Sequence, residues 1–223
     1  MPTSLSPPRC TVILFTRYPE AGRAKTRLIP RLGAEGAAAL QRRLTGHALG
    51  EALRLQRATP GLAVEVRTEG GDPERLTAWL GEDLCWQPQG TGDLGERLRR
   101  ALDDRLGRGA RAVLVGCDLP GLSAELLRQA VAALSSHDLV LGPAHDGGYY
   151  LVGLRNRAPT LFHDIPWGGP TVLERTLERA RAASLAVALL APLADVDRPE
   201  DLDSLDPSWL EGLELRHPPR ELT

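Results

Sequence analysis

The sequence predicts an α/β fold built on a largely parallel sheet, and three observations carry that expectation. Short apolar runs alternate with longer stretches of helical spacing along the 223 residues. The run Ala112-Val113-Leu114-Val115 ends abruptly at Gly116-Cys117-Asp118-Leu119-Pro120-Gly121, as a buried strand entering a loop does. Ser123 then offers an N-cap to a helix whose apolar positions are Leu126, Leu127, Ala130, Val131 and Leu134. Asp118 therefore falls just past the carboxyl end of a central strand, the edge where open α/β sheets bind ligands. A carboxylate there suits a divalent cation that holds phosphate oxygens. It equally suits an Asx-turn before Pro120.

The other elements follow in chain order. Residues 1–9 are rich in proline and serine and read as a flexible N-terminus. Residues 10–16 (CTVILFT) form a continuous apolar run, the first buried strand. The loop after it carries Arg17, Arg23, Lys25, Arg27 and Arg31, with Gly22 among them. Backbone amides, lysine and arginine in that position can cradle a diphosphate or triphosphate, and they can also form a solvated basic turn. The loop is not a Walker A motif, because Pro19 and Ala24 occupy the places of required glycines. Residues 34–57 read as a helix, 62–67 as a strand and 73–80 as a short helix.

Gly90, Gly92 and Gly95, with Asp93 between them, make a formal G-x-G-x-x-G, read here as a loop entering the helix that carries Leu98 and Leu102. Residues 138–142 form a further strand. Asp146-Gly147-Gly148 then reads as a turn with a carboxylate, for which a type I′ hairpin is the local alternative. Trp167 is either a platform for a ring or a core residue. Pro170 is expected at the first position of a helix running to Ala183, and residues 185–191 as a last buried strand. In Asp195-Val196-Asp197 the two carboxylates face the same way if the segment is extended, so they can meet one cation. Otherwise Asp197 caps the helix that starts at Pro199.

Composition narrows the function classes. The formal net charge of -2 gives no reason to expect nucleic acid or a membrane surface as partner. The longest apolar run, residues 185–191, is far below the roughly 20 residues of a bilayer span. The N-terminus lacks a signal-peptide pattern, and Cys10, Cys85 and Cys117 read as small buried residues, so a cytoplasmic location is expected. Of 27 basic residues only Lys25 is lysine. A compact ammonium retained among arginines marks Lys25 as a phosphate-contact candidate, expected on an exposed loop.

Taken together, FTRYPEAGRAKTRL (15–28), QGTGDLGERL (89–98), GCDLPGL (116–122), GPAHDGGYYLVGL (142–154), IPW (165–167) and DVDRPEDL (195–202) resemble the bacterial DUF2064 family of glycosyltransferase-A-fold transferases. Arg17 replaces the family's lysine after the first strand, and Gly169 departs from the polar residues that follow I-P-W. The resemblance implies a three-layer α/β/α sandwich with a Rossmann-like, mostly parallel mixed sheet of the nucleotide-diphospho-sugar transferase type. Residues 10–206 would be a single such domain, and 207–223 a C-terminal extension.

The layout is also similar to 2-phospholactate and molybdenum-cofactor guanylyltransferases. By that likeness Asp118, Asp195 and Asp197 are ligands of Mg²⁺ or Mn²⁺. Arg17, Gly22, Arg23, Lys25 and Arg27 would hold the phosphates, and Gly90, Gly92, Asp93 and Gly95 would face the nucleobase. Asp146, Gly147, Gly148 and Trp167 would face the second substrate, with Lys25, Arg27, Asp118 and Asp146 catalytic and His145 an alternative base. The expected partners are a nucleotide or nucleotide sugar and a small-molecule acceptor. Oligomeric state is left open, a homodimer included. Glycosyl transfer from a nucleotide sugar is the leading expectation. Nucleotidyl transfer with release of pyrophosphate is the alternative, and a non-catalytic nucleotide-binding domain the third.

Overall fold

The computed structural model describes residues 8–215. All seven strands join one sheet: β1 (Cys10–Arg17), β2 (Leu62–Glu69), β3 (Trp86–Pro88), β4 (Arg111–Gly116), β5 (Leu139–Pro143), β6 (Tyr149–Leu154) and β7 (Val187–Leu189). Their spatial order is β3-β2-β1-β4-β6-β5-β7. Only β6 runs against its neighbours, pairing antiparallel with β4 and β5. The expected mixed, mostly parallel sheet is what forms. Helices α1 (Ile29–Ala58), α2 (Pro73–Leu80), α3 (Leu94–Leu106), α4 (Ala124–Ala133) and α5 (Val172–Ala182) complete the described fold.

Side-chain alternation on the strands builds the three layers. Val12, Leu14, Val113 and Val115 pack with Ala48, Ala52 and Leu55 of α1 and Leu127 and Ala130 of α4. Ile13, Ala112 and Leu114 point the other way, onto Leu98, Ala101 and Leu102 of α3 and Ala180 of α5. Successive strand residues serve opposite faces, so the central strands are apolar throughout and bury both sides. The carboxyl ends of β1, β2, β3 and β4, the end of β5 and the start of β6 share one edge of the sheet. That edge carries the loops with Arg17, Glu69, Gln89, Asp118 and Asp146.

Several local expectations change. Helix α1 starts earlier than predicted and contains a break at Gly33, whose φ of 67° is left-handed. Pro170 precedes the Thr171 N-cap of α5 and is not its first residue. Strand β7 lies at the sheet edge and leaves Leu189 exposed, so it is not the buried strand that its composition suggests. Cys85 is exposed, while Cys10 and Cys117 are buried. The β5–β6 connection is longer than a two-residue type I′ turn. Gly147 has φ 88°, but Asp146 is not in the left-handed region that such a turn needs. Residues 199–204 form a 3-10 turn, not an α-helix.

Residues 196–213 pack onto the first half of α1. Val196, Leu202, Trp209 and Leu213 join Leu28, Leu32, Leu40 and Leu44 in a third apolar cluster. Arg43 donates hydrogen bonds to the carbonyls of Trp209 and Glu211. No described helix is long and apolar enough to cross a membrane.

Candidate active site

Two adjoining clefts open on the carboxyl edge of the sheet, and Phe15, Leu94 and Asp118 line both. The first, of about 460 Å³, gathers Arg17, Lys25, Arg27 and Arg97 with Gln41, Glu69, Gln89 and Asp197. The second, of about 350 Å³, is walled by Leu98, Leu114, Tyr149, Trp167 and Val172, with Asp118, Asp146 and Asp195. We call them the basic and the apolar cleft.

Asp118 stands between them because β4 ends at Gly116 and the chain turns at Pro120. No Asx-turn forms: among the described residues its side chain accepts no backbone hydrogen bond. Its main-chain carbonyl instead accepts from the amide of Val196 at 2.9 Å. That bond, with a bridge from Ala144 to Leu193, draws residues 193–197 along the same edge. Arg198 is the N-cap of the 3-10 turn, and the carboxylate of Asp201 inside it accepts from the amides of Asp197 and Arg198 at 2.8 and 2.6 Å. The carboxylate of Asp197 is thereby left for Arg27, with which it pairs.

Lys25 is not exposed as expected. It has a left-handed backbone (φ 44°), and its side chain is only 2% exposed. Its ammonium donates to the carbonyl of Val196 at 2.6 Å and lies 2.8 Å from Asp118 Oδ1. The approach to Oδ1 is short but poorly aligned for hydrogen bonding, so that buried oxygen has charge compensation and no directed donor.

The remaining phosphate candidates divide. Arg17 pairs with Glu69 at 2.9 Å, and Arg97, from the first turns of α3, reaches the same carboxylate at 3.2 Å. Burial would raise the Glu69 pKa, but Arg17 and Arg97 outweigh it and hold the carboxyl below its usual range. Arg97 also donates to Gln89, whose own amide is fixed on the carbonyl of Thr16. The sequence reading missed Arg97 and Gln89. The one signal was their place on either side of the glycine loop. Arg23 points to solvent beside Glu20, and Gly22 makes a turn with open space around it; neither lines the basic cleft.

The glycine loop has largely structural reasons for its composition. Asp93 is the N-cap of α3 and forms a capping box with Glu96. Gly90 has φ 83° and lies against Arg100, which donates to the carbonyls of Gln89 and Thr91. A Cβ at Gly92 would meet Glu96, and one at Gly95 would lie 2.6 Å from Trp167 Nε1. None of Gly90, Gly92, Asp93 and Gly95 lines the basic cleft. Gly95 instead lets the indole settle against α3, at the apolar cleft.

Trp167 stacks on Phe162 and meets Tyr149 edge-on, with ring centres 6.4 and 6.3 Å apart. A Cβ at Gly147 would strike the carbonyl of Pro170, and Leu173 N–H donates to the Gly147 carbonyl at 2.9 Å. The Trp167 loop is thus anchored to both α3 and the β5–β6 turn. Asp146 lines the apolar cleft and accepts from Gly148 N–H at 2.9 Å; His145 is exposed and lines neither cleft. Burial raises the Asp195 pKa, its own backbone amide opposes this, and the charges of Asp146, Asp197 and Asp118 add to the rise.

The carboxylates of Asp118, Asp146 and Asp197 therefore all act on Asp195 at the junction of the clefts. Their chemistry fits a hard divalent cation, and so does the Asp118 oxygen without a directed donor. Among the described residues, however, no three such side chains are gathered closely enough to hold an ion. Asp118 lies toward Lys25, and Asp197 toward Arg27.

A mixed, mostly parallel α/β sheet with cations and carboxylates gathered at its carboxyl edge is the architecture of the nucleotide-diphospho-sugar transferase type. The chain belongs to the DUF2064 family, described as an uncharacterized protein conserved in bacteria, whose profile matches residues 52–169. A crystal structure described as a candidate nucleotide-diphospho-sugar transferase from Desulfovibrio desulfuricans G20 is 36% identical, with a TM-score of 0.79 over 86% of this chain and 83% of that one. A curated 3-phospho-D-glycerate guanylyltransferase from Phenylobacterium zucineum is 36% identical over 133 residues, 57% of this chain and 59% of the relative. The chain thus aligns with less than two thirds of that relative's length. A mannosyltransferase from Pyrobaculum calidifontis, solved with GDP-Man and Mn²⁺, shares the fold at 15% identity, with a TM-score of 0.51 over 85% of this chain and 57% of that one.

Proposed function

We propose that the protein transfers a glycosyl group from a nucleotide-diphospho-sugar held in the basic cleft to a hydroxyl presented from the apolar cleft. The observation that carries this reading is the split of charge across Asp118. Arg17, Lys25, Arg27 and Arg97 line one side together with Glu69 and Asp197, whereas the other side has Asp146 and Asp195 and, among the described residues, no basic side chain. Cations suit the diphosphate, and a carboxylate suits the acceptor hydroxyl, which must lose a proton.

In this reading the bond from the sugar C1 to the bridging diphosphate oxygen breaks, and the oxygen keeps the electron pair. The acceptor oxygen bonds to C1, and its proton passes to Asp146. Arg27, freed from Asp197, and Arg97 meet the charge that builds on the leaving diphosphate. Lys25 holds Asp118 and the carbonyl of Val196 in register, so that both sides of the junction keep their spacing. Asp118 and Asp197 would have to turn from Lys25 and Arg27 toward Asp195 to hold a divalent cation, which would then supply further charge stabilisation to the diphosphate.

The curated guanylyltransferase relative favours a second reading: attack by a phosphorylated acceptor on the α-phosphorus of GTP, with pyrophosphate leaving. One experiment separates the two. The protein is incubated with Mg²⁺ or Mn²⁺ and either nucleotide sugars or nucleoside triphosphates, with and without 3-phospho-D-glycerate. Release of a nucleoside diphosphate from a nucleotide sugar supports glycosyl transfer. Pyrophosphate released from GTP only when the phosphorylated acceptor is present supports the second reading and overturns the first.

A further inference from the structure

We infer that the apolar cleft is an acceptor subsite selective for an uncharged molecule with an aromatic or alkyl body, Trp167 being its platform. The word acceptor rests on the proposed donor in the basic cleft; the binding preference does not. The cleft volume of about 350 Å³ falls in the range of small-molecule sites. Its walls are Phe15, Leu94, Leu98, Tyr149 and Trp167, and Asp118, Asp146 and Asp195 supply its charge. A phosphorylated or carboxylated ligand would enter against Asp146 and Asp195, Asp118 being compensated by Lys25, and among the described residues no lysine or arginine lines the space. A hydroxyl-bearing ligand with an apolar body would bury that body on the aromatic wall and present its hydroxyl to Asp146.

The wall is held in place. The indole rests where Gly95 has no side chain, stacks on buried Phe162 and touches Tyr149 edge-on. The loop that carries it is closed onto the β5–β6 turn through Gly147, Pro170 and Leu173. Such a surface needs little ordering on binding, which is the condition under which a small apolar contact yields measurable affinity.

The test uses the full chain with no nucleotide present, and reads binding by saturation-transfer NMR and calorimetry. The probes are phenyl β-D-glucopyranoside and glucose 6-phosphate. The neutral aryl glycoside should bind at least about tenfold more tightly, which corresponds to about 1.4 kcal/mol. Trp167→Ala should remove that preference, and Trp167→Phe should keep most of it; circular dichroism reports whether each variant is folded. Gly95→Ala, which pushes on the indole without removing it, should weaken the glycoside and leave glucose 6-phosphate unchanged. Equal binding of the two probes to the wild type, binding of neither, or a preference that survives Trp167→Ala would overturn the inference. Failure of the donor reading shows separately, as absence of nucleoside diphosphate release from any nucleotide sugar.

Discussion

The two clefts share Asp118, Phe15 and Leu94, yet their chemistry is opposite. In the basic cleft every cation already has a protein partner: Arg17 and Arg97 on Glu69, Arg27 on Asp197, Lys25 on Asp118 and Val196. In the apolar cleft Asp146 and Asp195 have no cationic partner among the described residues, and Asp195 feels the other carboxylates. The difference teaches how the site is poised. A diphosphate entering the basic cleft exchanges one set of anions for another, so the cations lose little solvation twice over. The apolar cleft gains from burying carbon and tolerates no further negative charge. Asp118 belongs to both, and it is where the comparison is easiest to break.

The largest expected effect is at that shared residue. Asp118→Asn keeps the shape and removes the charge; transfer should fall by about a hundredfold or more, the scale of losing one electrostatic element at a reacting centre. Steady-state kinetics on the nucleotide-sugar reaction measures it. Activity near wild type would reduce Asp118 to a turn residue.

Lys25→Ala comes next and shows in stability as well as turnover. Removing a buried charged hydrogen bond costs about 2 kcal/mol, and at this chain length that lowers Tm by roughly 4–8 °C. Lys25→Arg should also lose stability, because a side chain only 2% exposed leaves little room for a planar fork. Thermal denaturation with full retention of Tm in either variant would show that the contacts to Asp118 and Val196 carry no weight.

Arg97→Ala tests the basic cleft alone. Loss of one charge-assisted contact should raise the donor Kd by about tenfold, with binding in the apolar cleft unchanged. The smallest effect is expected at Arg128, whose exposed pair with Glu125 on α4 lines neither cleft. Arg128→Ala should leave activity unchanged and Tm within the error of thermal denaturation, because an exposed pair is screened by solvent.

Much of this was legible in the sequence because the relevant signals are local. The apolar run before Gly116 fixed β4, and Ser123 does accept from the Leu126 amide as its position predicts. The Asp195–Asp197 spacing suggested two carboxylates able to meet one cation or an Asp197 cap; Asp197 instead pairs with Arg27. What was not legible depends on contacts between distant segments. Lys25 looked like an exposed loop lysine; it is buried because Val196, 171 positions away, supplies its carbonyl. The Asp93 and Gly95 loop looked like a ligand-binding glycine motif, but a cap and the indole of Trp167 account for those two residues. Glu65 and Arg67 of β2 are buried and paired with each other, a placement that alternation alone does not suggest. Arg105 and Asp104 of α3 reach them from the adjacent layer.

The division of labour between the clefts is the central claim, and one comparison tests it most directly. Calorimetry with Mg²⁺ and UDP, GDP, CDP and ADP identifies the nucleoside diphosphate that wild type binds most tightly, and the same titration is repeated on Arg97→Ala and Trp167→Ala. The account predicts that Arg97→Ala weakens nucleotide binding by about tenfold while Trp167→Ala leaves it unchanged. Equal weakening in both variants would contradict it, because the nucleotide would then occupy both clefts and no separate acceptor side would remain.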